Sequence, residues 1–101
     1  MTTYKIYTIE QGLIKTNNGF DFENLTYHRE DGPALIKYYD NGNIEYEEYW
    51  INNIRHRLDG PAYIEYDETG KAKYQDYYIN GKFHTNEYFF KTLLKLKINL
   101  L

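Results

Sequence analysis

The chain has no cysteine, two prolines, one methionine and one tryptophan in 101 residues. Without cysteine there is no disulfide framework and no thiolate metal site, which suits a reducing compartment. No apolar run approaches the roughly 20 residues a helix needs to cross a bilayer, so no membrane span is expected. The opening Met1-Thr2-Thr3-Tyr4-Lys5-Ile6 lacks the apolar stretch of a signal peptide. These omissions point to an intracellular protein in the cytoplasm of its source or host cell. Excess charge of one sign is also missing. The net charge is −3, with acids and bases mixed along the chain, which disfavours direct nucleic-acid binding by phosphate neutralisation. A chain of this length argues for one domain with a thin core.

What is plentiful is tyrosine, 13 residues against five Phe. Tyrosine suits a half-buried pleated surface, ring packed and hydroxyl wet. The order of the chain comes from a repeat. His28 recurs as His56 and His84, each 28 residues on, and residues 28–55 match residues 56–83 at thirteen positions without a gap. The matched motif is His28, Arg29, Asp31, Gly32, Pro33 and Ala34 against His56, Arg57, Asp59, Gly60, Pro61 and Ala62. Residues 28–55 are repeat 1 and 56–83 repeat 2. Residues 1–27 form a worn N-terminal unit, since Phe22-Glu23-Asn24 stands 28 residues before Trp50-Ile51-Asn52. Residues 84–101 form a C-terminal cap. Degenerate ends are what a stack of units needs to close against water.

Each unit reads as two strands and two turns. Alternating Ala34–Tyr39, then Asp40-Asn41-Gly42, then Ile44–Tyr46 marks a β-hairpin. A three-residue loop with left-handed Gly42 at a bulge pairs Tyr38 with Ile44, Ile36 with Tyr46 and Lys37 with Glu45. The second copy then pairs Tyr66 with Ala72, Ile64 with Tyr74, and Glu65 with Lys73, reversing the charges together. Asn52-Asn53 and Asn80-Gly81 supply the second turn, since both residue types tolerate positive φ. Pro33 and Pro61 belong at strand starts or edges. Phe90, Leu93, Leu94, Ile98 and Leu101 fall at helical spacing, with Thr85 or Asn86 as cap. The expected fold is therefore mostly β, a tandem β-hairpin repeat forming an antiparallel meander, with a short C-terminal amphipathic helix as cap. Phe89, Leu96 and Leu100 widen the apolar stripe into a surface that a second copy could use.

The run His-Arg-x-Asp-Gly-Pro-Ala, then Ile-x-Tyr, Gly, Tyr-x-x-Tyr and Ile-Asn, resembles the MORN-like repeat proteins of giant viruses of amoebae, phages and bacteria. The resemblance covers about residues 22–84. It implies a hairpin-based β ribbon with interaction or scaffolding roles and carries no catalytic residue.

Three histidines one unit apart are too separated to converge on one metal, so no metal or cofactor is expected, and each should bond its own turn. Asp31 and Asp59 should accept bonds from the neighbouring Arg and His. A motif present twice argues for structure rather than catalysis, and no enzyme is expected. Tyr49-Trp50 and Tyr77-Tyr78 point to opposite faces of their strands, leaving Trp50, Tyr49 and Tyr78 as candidate partner contacts, Trp50 first as anchor. Glu45, Glu47 and Glu48 read as an acidic patch for a basic partner surface. The first functional reading is a small protein-binding module, an inhibitor of its partner. Two alternatives are a self-assembling structural protein and a carbohydrate-binding module.

Overall fold

The structure is a computed structural model that describes residues 3–100, and their side chains through residue 96. The expectations for Met1 and Thr2, and for the side chains of Ile98, Leu100 and Leu101, fall outside the described residues. The elements are β1 (Thr3–Thr8), β2 (Gly12–Asn17), β3 (Leu35–Tyr38), β4 (Ile44–Glu48), β5 (Trp50–Ile51), β6 (Ile54–Arg55), β7 (Tyr63–Tyr66), β8 (Ala72–Ile79), β9 (Lys82–His84) and α1 (Asn86–Leu100). The chain is mostly β, as its alternation implies.

Seven strands form an antiparallel sheet in the order β2-β1-β3-β4-β7-β8-β9. Within it β8 pairs β7 through Ala72–Asp76 and β9 through Tyr77–Ile79. The remaining pair, β5-β6, is a separate two-stranded sheet. So the meander holds for the first hairpin of each unit, while the second hairpin of repeat 1 leaves the main sheet. Equivalent bonds recur at the 28-residue interval. The Ala34 N–H donates to Glu48 O and the Ala62 N–H to Asp76 O, both at 2.9 Å. Ahead of residue 28, β1 fills the place in front of β3 that β4 fills in front of β7. The Tyr7 N–H donates to Ala34 O, and the Tyr49 N–H to Ala62 O, both at 2.7 Å. Asn24, Asn52 and Asn80 share positive φ, at 61°, 48° and 50°.

The hairpin register departs from expectation by one residue beyond the loop. Gly42 and Gly70 are left-handed, at φ 89° and 94°, and Tyr38 pairs Ile44 as Tyr66 pairs Ala72. The ladder then slips. Lys37 faces Tyr46, and Ile36 faces Glu47 rather than Tyr46. Likewise Glu65 faces Tyr74, and Ile64 faces Gln75. Glu45 and Lys73 are the extra, unpaired bulge residues, a β-bulge putting two residues against one. Glu45 still reaches Lys37, at 3.2 Å. Among the described residues the reversed couple Glu65/Lys73 forms no such ion pair.

Both faces of the central strands are covered. Leu35 and Ile36, adjacent on β3, point opposite ways, and both are buried, with Ile6, Ala34, Ala62, Ile64, Ile79 and Phe89 completing the core. Each such large side chain contributes roughly 1.5–3 kcal/mol on burial. Pro33 and Pro61 stand just before β3 and β7, where no ladder N–H is needed.

The helix caps the sheet, rotated from the expected stripe so that Phe89 rather than Phe90 faces inward, while Leu93 is half-buried as expected. Thr85 is its cap: its Oγ1 accepts the Tyr88 N–H at 3.3 Å. Phe89 is 1% exposed and lies against Tyr77, 4.5 Å between ring centres. Phe90 and Leu94, predicted inward, are 58% and 61% exposed. The stripe was wide enough to allow either rotation, and the Tyr77 ring selects Phe89.

Candidate binding surface

The repeated motif builds loops. The Arg29 Nε–H donates to Asp31 Oδ1 at 3.0 Å and its Nη1–H to Pro33 O at 3.2 Å. Arg57 repeats both bonds with Asp59 and Pro61, at 2.8 and 3.0 Å. Each guanidinium lies 4.0 Å from a tyrosine ring centre, Arg29 over Tyr7 and Arg57 over Tyr49. The glycines allow this fold-back, since a Cβ on Gly32 or Gly60 would stand 2.8 or 2.9 Å from the guanidinium carbon. The hydrogen bond from arginine holds the Asp31 and Asp59 carboxyls below the usual range. At the C-terminal end Thr85 replaces the arginine, and Phe89 covers Tyr77 instead.

The histidines bond a neighbouring turn, not their own. The Asn52 N–H donates to His28 Nδ1 at 3.0 Å and the Asn80 N–H to His56 Nδ1 at 2.9 Å, each 24 residues on. A tight turn with positive φ leaves a backbone N–H to be satisfied, and a histidine from the preceding loop is what reaches it. His84 instead lies 2.9 Å from Lys82 O. Among the described residues no three metal-ligating groups converge.

The aromatic candidates meet through a residue that the sequence reading passed over. Arg55, on β6, lies 4.8 Å from the Trp50 ring centre and 5.1 Å from that of Tyr78. Beyond Trp50 stands Tyr27 at 5.6 Å, and beyond Tyr78 stands Phe83 at 5.8 Å. The result is a continuous row, Tyr27–Trp50–Arg55–Tyr78–Phe83, running across both repeats. Cation–π contacts of this kind contribute about 0.5–2 kcal/mol each. Glu48 fixes the centre: its Oε1 accepts the Trp50 indole N–H at 2.9 Å and an Arg55 Nη2–H at 2.7 Å. Its side chain is 13% exposed and that of Arg55 24%. Arg55 Nε is buried without a hydrogen-bond partner. A shallow hollow of about 530 Å³ opens over this row between the two turns, bordered by Asn53, Ile54, Asn80 and Gly81. The missed signal was a column at the repeat interval: Tyr27, Arg55 and Phe83 are 28 residues apart, an aromatic position carrying arginine once.

A second row lies across the main sheet. Tyr46, Tyr63 and Tyr74 follow at 5.9 and 6.2 Å, with Lys37 5.7 Å from Tyr46. Arg55 also lies 5.4 Å from Tyr63, so it joins the two rows. Burial first, then nearby glutamates, pushes the Tyr63 hydroxyl up to about 12 and raises that of Tyr46 further. Tyr27 is raised by burial and by the charge of Glu48.

The structure does not bring Glu45, Glu47 and Glu48 together as one acidic patch. Glu45 is the bulge residue bonded to Lys37. Glu47 is on the opposite face of the sheet, accepting the Tyr66 hydroxyl at 2.5 Å. Glu48 lies inward beneath Trp50. The pleat sends the adjacent Glu47 and Glu48 to opposite faces, and the bulge at Glu45 breaks the alternation that would otherwise put it on the face of Glu47. Tyr49, under Arg57, is on the other side from Trp50, and Tyr78 stays with Trp50. No protein-family model, curated protein or solved structure matches this chain.

Proposed function

We propose that the chain is a small non-catalytic protein-binding module that presents the row Tyr27–Trp50–Arg55–Tyr78–Phe83 to a partner protein, acting on it as an inhibitor. One observation carries this reading: an aromatic–guanidinium row, held from below by Glu48, borders an open hollow. Trp, Tyr and Arg are the side chains that dominate binding hot spots, because they bury large area at small entropic cost. The motif histidines, arginines and aspartates are engaged in holding loops, twice over, which supports a structural role for them. The acidic surface drops out of the proposal, and the aromatic row takes its place. The resemblance to MORN-like repeat proteins, with their interaction roles, agrees with this reading.

The experiment is affinity capture from lysate followed by reconstitution of the purified pair. Trp50 is the only tryptophan, so its emission reports directly on the row. A partner that binds stoichiometrically, shifts Trp50 emission and weakens about 30-fold or more with Trp50→Ala supports the proposal. Ile54→Asp, at a side chain 48% exposed on the rim, should weaken binding while leaving the fold alone. A partner whose affinity ignores both changes sinks it. Emission that responds only to an oligosaccharide would favour a carbohydrate platform, for which Trp50 and Tyr78 beside Asn53 and Asn80 are suitable chemistry.

A further inference from the structure

The last unit of the sheet is unfinished. In repeat 1, β4 takes the next unit on its outer edge, Tyr46 facing Glu65, Glu47 facing Ile64 and Glu48 facing Tyr63. The counterparts 28 residues on are Tyr74, Gln75 and Asp76 of β8. There the chain turns into β9 and α1, and among the described residues no strand occupies the outer edge alongside Ala72–Gln75. All four of these residues are exposed. The Asp76 carbonyl accepts the Ala62 N–H and so points into the sheet. Backbone groups alternate along an antiparallel strand, so the N–H and C=O of Gln75 point out, away from β7. An open edge of this kind is a template for another strand. Of the ten large apolar side chains exposed among the described residues, six (Tyr74, Phe83, Tyr88, Phe90, Leu94 and Leu96) lie from residue 74 onward, on β8, β9 and α1.

We infer that this edge is a homodimer joint, in which β8 pairs antiparallel with β8 of a second copy about a two-fold axis normal to the sheet. A second copy is the fitting occupant for two reasons. The edge carries the form by which the chain adds its own units, so a strand of this chain complements it. An antiparallel joint is also self-complementary and closes at two copies. Charge permits it in either register that the symmetry allows. Centred on Tyr74, the pairing sets Lys73 against Gln75 and Ala72 against Asp76. Centred on Gln75, it sets Gln75 against its own copy and Tyr74 against Asp76, ending short of Tyr77, whose outer edge β9 occupies. Neither register opposes like charges, which would destabilise the pair. A two-fold normal to the sheet keeps one face outward in both copies. The dimer therefore carries two aromatic rows on one side and becomes bivalent toward a partner, with effective concentration strengthening the second contact. The joint itself does not depend on what the row binds.

Sedimentation equilibrium over a concentration series tests it on the full chain. The expected result is a mass that rises to twice that of the monomer and stays near monomer for Gln75→Lys. That substitution sets like charges across the pair in both registers and alters only an exposed side chain. Gln75→Pro, which removes the outward N–H, should give the same loss. Far-UV circular dichroism verifies that each variant is folded. A monomer at every concentration overturns the inference, as does a Gln75→Lys dimer as tight as the parent's. Dissociation by Leu13→Asp, at the opposite edge strand β2, with Gln75→Lys dimeric, also overturns it.

Discussion

At the scale of the residue, the motif is legible once its parts are assigned jobs. Gly60 is a glycine for lack of room. Its φ is not the reason, because the positive-φ glycines are Gly12, Gly42, Gly70 and Gly81. A methyl at Gly60 would meet the Arg57 guanidinium carbon at 2.9 Å. Gly60→Ala should therefore expel the guanidinium from its bonds to Asp59 and Pro61 and from the Tyr49 ring. The expected cost is about 1–3 kcal/mol, the scale of a lost charge-assisted bond network. Urea melts measure it, and a double-mutant cycle identifies the cause. In an Arg57→Ala background, Gly60→Ala should cost little. Equal cost in both backgrounds would show that the clash with Arg57 is not the reason. The sequence pointed to Arg57 and Asp59 as partners because they sit two apart. It could not point to His56 bonding Asn80, since that contact exists only after the chain has made a whole further hairpin.

At the scale of the element, turns were more legible than register. Asn-Gly and Asn-Asn mark positive φ by chemistry alone, and Gly42 at φ 89° bears this out. Gly42→Val should cost about 1 kcal/mol or more, because a β-branched residue is poorly tolerated there. Unchanged stability in urea would argue against this turn. The bulge was anticipated at Gly42, but the unpaired residue proved to be Glu45, and this sets which side chains face each other. No local pattern distinguishes the two, because Tyr46 and Glu47 can each face Ile36 without a steric conflict. The helix shows the same limit. Its existence and cap follow from spacing, but its rotation depends on the Tyr77 ring waiting on β8. Phe89→Ala should cost about 3–5 kcal/mol as a buried aromatic truncation. Phe90→Ala, one residue on and exposed, should stay within roughly 0.5 kcal/mol. Comparable costs in thermal melts would contradict the observed rotation.

At the scale of the whole molecule, whose extents are 46 × 33 × 18 Å, the abundance of tyrosine becomes an arrangement, with rings in rows across a sheet. The composition implied a half-covered aromatic face, and the repeat implied periodicity. What neither contained was Arg55 joining two rows, since that needs the second hairpin of repeat 1 to leave the main sheet. The rows give the molecule a particular response to alkali. Burial first, then nearby carboxylates, raises Tyr63 to about 12 and raises Tyr46 and Tyr66 as well. In an unfolded chain a tyrosine ionises near pH 10. Below that point folded and unfolded states hold the same protons at these sites, and their contribution to stability is fully present. Between about pH 10 and 12 the unfolded chain loses the protons while the fold retains them, so stability must fall as pH rises. Tyrosinate absorbance of Tyr46, Tyr63 and Tyr66 should therefore appear together with loss of the β circular dichroism signal, not before it. Removing one ionisable hydroxyl while keeping its ring, as in Tyr46→Phe, should move the alkaline midpoint upward. A midpoint unmoved by Tyr46→Phe and by Tyr63→Phe would mean that these buried hydroxyls do not set the alkaline limit of the fold.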